Sequence, residues 1–232
     1  MKALKLERRD RTTGRSYLTP AGELPSVTTI LDRTRPAKAT ERMRAAMASR
    51  GRAWARGRGD RTLRGAAGRL RTRAADRGTD VHERIEAALE DPWWDPARVG
   101  DVAGEDGWWH SAVPFLQRVA EPMLIEASVF SREHGFAGTL DLLARLDDDG
   151  LALVDWKTAA SRKLREWIGD YELQAAAYRV GLAETYGVIC RRAMIVVIYE
   201  DAPADVFEMD EAALEAAWVR FGVRLATHRR MR

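Results

Sequence analysis

Apolar and polar positions alternate through the stretch Gly138 to Lys157, GTLDLLARLDDDGLALVDWK, with a break at Asp147-Asp148-Asp149-Gly150. An Asp-Gly turn between two apolar runs predicts a hairpin, with antiparallel strands over Phe136 to Leu146 and Leu151 to Lys157. Strand side chains alternate between faces, so Asp155 and Lys157 point one way and Trp156 the other. Asp141, on the partner strand, falls within a residue or two of level with Asp155. Upstream, Leu4 to Arg9 and Arg15 to Leu18 flank Thr13-Gly14 and read as a small N-terminal hairpin. Pro25 to Leu31 starts a helix with Ser26 as its N-cap. Ala39 to Arg58 and Arg61 to Asp76 have helical composition, interrupted near Gly57-Arg58-Gly59. Thr79 to Glu90 is a further helix, placing His82, Ile85 and Leu89 on one face. A loop from Asp91 to Gly107 leads into a helix from Trp108 to about Ala120, and Met123 to Ser131 is the first core strand. Trp167 to Tyr186 is an amphipathic helix, Arg192 to Tyr199 a nearly continuous apolar run that suits a buried central strand, and Asp210 to His228 a last amphipathic helix. The order is helix, three strands, helix, strand, helix: an α/β fold with a mixed central sheet between helices.

Length and charge refine this picture. At 232 residues the chain is one domain, or one domain with an N-terminal elaboration. The division expected is a hairpin and basic helical extension over 1–77, packed on a core over 78–232. From Arg33 to Arg77 there are fifteen Lys and Arg against three Asp and Glu; from Gly78 to Trp156 the balance is five against seventeen. A basic half beside an acidic half suits a polyanion-binding surface next to a cation-binding one. A single cysteine, Cys190, cannot form an internal disulfide and excludes a four-cysteine iron–sulfur cluster. The first residues hold no signal-peptide apolar core and no run reaches the length of a membrane span, so an intracellular protein without membrane association is expected.

The candidate chemistry centres on the hairpin. Two facing carboxylates, Asp141 and Asp155, repel each other unless one is protonated or a cation lies between them. Mg²⁺ is commonly held by one or two carboxylates with water and phosphate. Lys157, two residues from Asp155, is placed to orient or deprotonate a water or to offset phosphate charge. The plain alternative is an exposed sheet face on which Lys157 pairs with one aspartate. Ser26 and Thr28 either grip a phosphate at the helix N-terminus or serve as a cap. Trp54, among Arg50, Arg52, Arg56 and Arg58, either stacks on unpaired bases or is buried. The doublets Trp93-Trp94 and Trp108-Trp109 either form a stacking platform or seal the loop onto the core. Glu126 reads as the partner of a nearby arginine, with an acid behind the metal ligands or an outer metal ligand as the alternatives, and His134 as solvated. Arg162, Lys163 and Arg165 suit phosphate contacts at the mouth of the site. Gln174 and Tyr178, four apart on a helix, are neighbours on one face.

Taken in order, His82 in Val-His-Glu-Arg-Ile-Glu, Gly-Thr-Leu-Asp at 138–141, Asp-Trp-Lys-Thr at 155–158 and Gln174-Ala-Ala-Ala-Tyr178 resemble the motifs of the PD-(D/E)xK nuclease superfamily, in its RecB-like branch with the Gln-x-x-x-Tyr motif. Leu24 to Leu31, LPSVTTIL, further resembles stand-alone phage-type exonucleases and the mitochondrial genome maintenance exonuclease. Asp155 stands where many relatives have Glu; both are hard oxygen ligands. The resemblance implies a restriction-endonuclease-like fold and Mg²⁺- or Mn²⁺-dependent hydrolysis of DNA. It implies a metal held by His82, Asp141, Asp155 and the Trp156 carbonyl, a water positioned by Lys157, and Gln174 and Tyr178 beside the cleavage point. It also implies an exonuclease or flap-type enzyme acting on single strands or free ends in replication, recombination or repair. A DNA-binding repair subunit with an inactive centre would have no need of Lys157, and a site-specific endonuclease would need a base-reading element that is not evident beyond the basic helices.

Overall fold

A computed structural model describes residues 1–37, 77–101, 106–148 and 150–231. The helices expected over Ala39 to Arg58 and Arg61 to Asp76, Trp54 with its arginines, and nearly all of the basic stretch lie outside the described residues.

The N-terminal segment forms three antiparallel strands, β1 (Glu7–Arg11), β2 (Gly14–Thr19) and β3 (Gly22–Pro25), in the order β1-β2-β3. The third strand was not expected; Gly22, at φ +99°, supplies the turn that adds it. Ser26 follows as the N-cap of α1 (Val27–Arg33), its side chain accepting the Thr29 N–H. A helix over residues 77–89 (α2) and α3 (Gly107–Leu116) precede the sheet.

That sheet runs β4-β5-β6-β7-β8, through β4 (Val119–Ser131), β5 (Phe136–Leu146), β6 (Leu151–Thr158), β7 (Ala193–Ile198) and β8 (Asp205–Met209). All its pairings are antiparallel except β6 with β7, which are parallel and joined through α4 (Gly169–Tyr186). A parallel pair needs such a crossover. The Asp-Gly hairpin falls where the sequence places it. β8 was missed: its half-exposed DVFEM alternates over only five residues after an Asp/Pro-rich loop. The last helix, α5 (Glu211–Arg230), packs beside α4.

Helices cover both faces, giving the mixed α/β arrangement of restriction-endonuclease-like folds. One core layer joins α1, α4 and α5 to the sheet through residues such as Ile30, Leu182 and Phe221; the other joins α2 and α3 through Ile85, Phe115 and Trp156. β7 divides its buried residues strictly, with Ala193, Ile195 and Val197 in the first layer and Met194, Val196 and Ile198 in the second. Trp108 and Trp109 belong to the second layer, which settles that doublet as core.

Polar contacts tie the N-terminal segment to the sheet and to α5. Ser26 bridges Ala137, and the Tyr17 hydroxyl lies 3.1 Å from Thr139 Oγ1. Arg224 of α5 donates to Thr34 Oγ1 at 2.6 Å, to the Leu31 carbonyl, and to Asp170 Oδ1 at 3.1 Å. Arg35 donates to the other Asp170 oxygen at 3.1 Å.

Gly138 shows how closely α4 approaches β5. A Cβ at that position would stand 2.4 Å from Tyr178 Cε1. Gly138→Ala should therefore lower stability by about 1–3 kcal/mol, the usual range for overpacking. Combined with Tyr178→Ala it should cost less than the sum of the two, because the clash is shared. Urea denaturation of the four proteins in this cycle measures the coupling; strict additivity would mean that the ring moves aside.

Candidate active site

β5 and β6 pair from Arg145↔Leu151 to Leu142↔Val154 and then part. Asp141 comes next, and its carboxylate takes the place of the ladder: Oδ2 accepts the Trp156 N–H at 2.8 Å. β6 continues against β7, pairing Asp155 with Ile195 and Lys157 with Val197. Asp155 is fully buried. Its Oδ1 has no hydrogen-bond partner, and Oδ2 lies 2.5 Å from Lys157 Nζ. Lys157 also lies over the Tyr171 ring, 5.3 Å from its centroid. Asp155 and Lys157 thus share a side, opposite Trp156. The exposed-face alternative does not describe this pair.

The adjoining strands explain why acids gather here. On β4, Ile125 packs with the second core layer and Ala127 belongs to the first; on β5, Leu140 belongs to the first and Leu142 to the second. Residues two apart in a regular strand share a face, so the alternation slips on both strands at the same level. Glu126 and Asp141 occupy the slip, between the pairs Ile125↔Leu142 and Ala127↔Leu140. Glu126 has φ +46°, the one positive value at a non-glycine residue among those described. Such a conformation costs on the order of 1–3 kcal/mol.

His82 reaches the cluster from α2. The helix buries Val81, Ile85 and Leu89, and His82 flanks that stripe rather than sharing it with Ile85 and Leu89 as the spacing suggested. Its Nδ1 lies 3.8 Å from Asp141 Oδ2. Donor atoms of His82, Glu126 and Asp141 all fall within 4.8 Å of one another. Glu126 has no hydrogen bond or ion pair with a described residue, which corrects its reading as an arginine partner.

The electrostatics follow from burial and crowding. Burial lifts the Glu126 carboxyl to about 8, aided by the charges of Asp141 and Glu86. Burial lifts Asp155 to about 7; Lys157 pulls it back down, and Asp141 pushes it further up. For Lys157, burial acts downward but Asp155 and Asp141 outweigh it, so the ammonium is held above its ordinary value. An imidazole nitrogen, several carboxylate oxygens and an orphaned buried oxygen fit a divalent cation.

α4 supplies Gln174 and Tyr178, both buried, with Gln174 Nε2 donating to the Tyr178 hydroxyl at 3.1 Å. Burial raises the Tyr178 pKa well above its ordinary value. Other candidates have partners elsewhere. The Ser26 hydroxyl is buried in its cap, 2.9 Å from the hydroxyls of both Thr28 and Thr29. Arg162 pairs with Asp205 and lies over the Tyr199 ring, and the Lys163 N–H donates to the Tyr199 hydroxyl at 2.9 Å. Trp93 is 88% exposed, while Trp94 donates its Nε1–H to the Val119 carbonyl at 2.8 Å. His134 packs edge-on against Trp218 at 4.9 Å, so it is not the freely solvated side chain expected.

The raised Asp155 pKa has a consequence for the metal-free protein. Between the unfolded value near 4 and the folded value near 7, the folded chain binds more protons than the unfolded one, so this group's contribution to stability falls as pH rises. In chelator, Asp155→Asn should therefore gain in melting temperature relative to the parent between about pH 4 and about pH 7. A difference that stays flat across that window would show that Asp155 does not titrate there.

Comparison with known proteins matches residues 17–217 to the model of the PD-(D/E)XK nuclease superfamily. Similar solved structures include that of a candidate exonuclease from Eubacterium rectale, with a TM-score of 0.40 at 15% identity, covering 58% of this chain and 50% of that one. The crystal structure of SSO0001 has a TM-score of 0.37 at 17% identity, covering 70% of this chain and 64% of that one. The chain thus spans less than two thirds of the length of either. No curated protein matches it in sequence. The family match takes in the acid-bearing strands, Lys157 and the helix of Gln174 and Tyr178, and the chain belongs to the PD-(D/E)XK nuclease superfamily.

Proposed function

We propose that the chain is a Mg²⁺- or Mn²⁺-dependent deoxyribonuclease of the RecB-like branch, hydrolysing phosphodiester bonds in single-stranded or end-bearing DNA. The observation that carries this reading is the buried Asp155–Lys157 pair, with an unpartnered Asp155 oxygen, beside the cluster of His82 and Asp141. A binding module gains nothing from burying a lysine against a carboxylate whose other oxygen has no hydrogen bond, since desolvating such a pair is costly.

In this reading His82, Asp141, Asp155 and the Trp156 carbonyl hold the cation. When bound, it lowers the pKa of a water and offsets phosphate charge. The Asp141 carboxylate is fixed by the Trp156 N–H, so its remaining oxygen needs little rearrangement to serve as a ligand. Lys157 is held by Asp155 and faces Tyr171, which leaves its ammonium ready to orient a water or a phosphate oxygen. Gln174 and Tyr178 line the same region from α4, with the Tyr178 ring against Gly138 three residues before Asp141. Arg162, Lys163, Ser26 and Thr28 are retained as substrate contacts only in so far as DNA draws them from their present partners. The exposed Trp93 offers a face on which an unpaired base can stack.

Digestion of end-labelled single-stranded, duplex and flap DNA, and of a covalently closed single-stranded circle, tests the proposal. Linear single strands should be degraded with Mg²⁺ or Mn²⁺ while the circle resists. Rapid nicking of the circle would mark an endonuclease. Asp141→Asn and Lys157→Ala should each abolish cleavage while leaving DNA affinity within a few-fold of the parent, because the salt-dependent phosphate contacts remain. Loss of binding in step with cleavage would assign these residues to substrate affinity instead.

A further inference from the structure

The ligand set above omits Glu126, which no sequence motif marks. The structure puts its carboxylate among the donors: it lies within 4.8 Å of the ligand atoms of both His82 and Asp141. The three residues come from separate elements, β4, β5 and α2, that converge on one point. Ligands around a single ion at about 2.1 Å sit roughly 3–4 Å apart, so small adjustments bring these atoms into one coordination shell. Glu126 faces Asp141 across the β4–β5 slip and forms no ion pair with a described residue, Lys5 and Lys157 acting on it only at longer range. A structural carboxylate at a half-buried point of a sheet would normally be paired.

An independent sign comes from β6. Asp155, wholly buried and next to Asp141, keeps Oδ1 without any hydrogen bond, although one lysine sits at its other oxygen. Among the described residues Lys157 is the one ammonium that pairs with any of the three acids; Lys5 acts on Glu126 only at longer range. We propose that Glu126 is a ligand of the catalytic cation, which sits between β4, β5 and α2 on His82, Glu126 and Asp141, with Asp155 closing the set from β6. The assignment rests on the metal-dependent reading of the site. It divides labour within the cluster: Glu126 holds the ion on the side away from Lys157, and the lysine side stays open to water and phosphate.

Calorimetric titration of the metal-free chain with Mn²⁺, without DNA, tests it. The parent should bind, and Glu126→Gln should weaken the affinity roughly tenfold or more, at least the loss seen when partners of metal ligands are removed. In EDTA the variant should melt no lower than the parent, whereas the rise in melting temperature on adding Mn²⁺ should shrink. Unchanged Mn²⁺ affinity in Glu126→Gln overturns the assignment and leaves the nuclease reading standing. A parent that takes up no Mn²⁺ overturns both. If the glutamine variant melts lower in EDTA, Glu126→Asp decides. It keeps the charge and should bind Mn²⁺ more tightly than the glutamine variant; equal binding by the two overturns the assignment.

Discussion

Negative charge held inside a sheet is the constraint around which this fold is arranged. Glu126, Asp141 and Asp155 lie on three consecutive strands, and among the described residues Lys157 is the one permanent cation that pairs with any of them, with the His82 imidazole beside Asp141. Burial makes that imbalance costly, because low dielectric strengthens repulsion as much as attraction. The sheet limits the cost by local irregularity: β5 leaves β6 after Leu142, the Asp141 carboxylate takes a backbone N–H in place of a ladder bond, and Glu126 adopts a left-handed conformation. Irregular backbone of this kind persists only where dense packing over-determines it. The two apolar layers, continuous above and below the slip, supply that packing.

The hairpin of β5 and β6 was legible because its signals are local: an Asp-Gly turn, alternation, and a fixed offset between Asp155 and Lys157. The buried β7 and the helices α4 and α5 were legible for the same reason, as long periodic or continuous apolar runs. Glu126 was not. Its significance comes from a slip in alternation that two strands share, and such a slip exists only once the strands are paired. Nothing in Ile-Glu-Ala marks a bulge. His82 was named for its motif, but its place on the flank of the Val81, Ile85, Leu89 stripe depends on how α2 rolls against the sheet. β8 and β3 were missed because short, half-exposed strands carry too little pattern to stand out from loops.

The tryptophans show the limits of reading residue type. Two adjacent doublets with similar surroundings in sequence have three fates: Trp108 and Trp109 are core, Trp94 is anchored by its indole N–H, and Trp93 projects. Helix phase decides the first pair and loop geometry the second. The same holds for the basic residues after β6. Arg162 looks free in the sequence, but Asp205 on the unanticipated β8 is there to meet it.

The latch made by Arg224 bears on how the protein comes into being. Its contacts to Leu31 and Thr34 join residues separated by 193 and 190 positions, and Asp170 joins them from the middle of the chain. On a ribosome, α1 emerges early and lacks these partners until α5 has been made. Long-range closure of this kind slows folding and leaves apolar surface exposed in the meantime. It also orders events, because the layer containing α1, α4 and α5, on which the seating of Gln174 and Tyr178 depends, can be completed only after α5 has been made. The seating of α4 is therefore a late consequence of contacts made far along the chain, not a property of the strands that carry the acids.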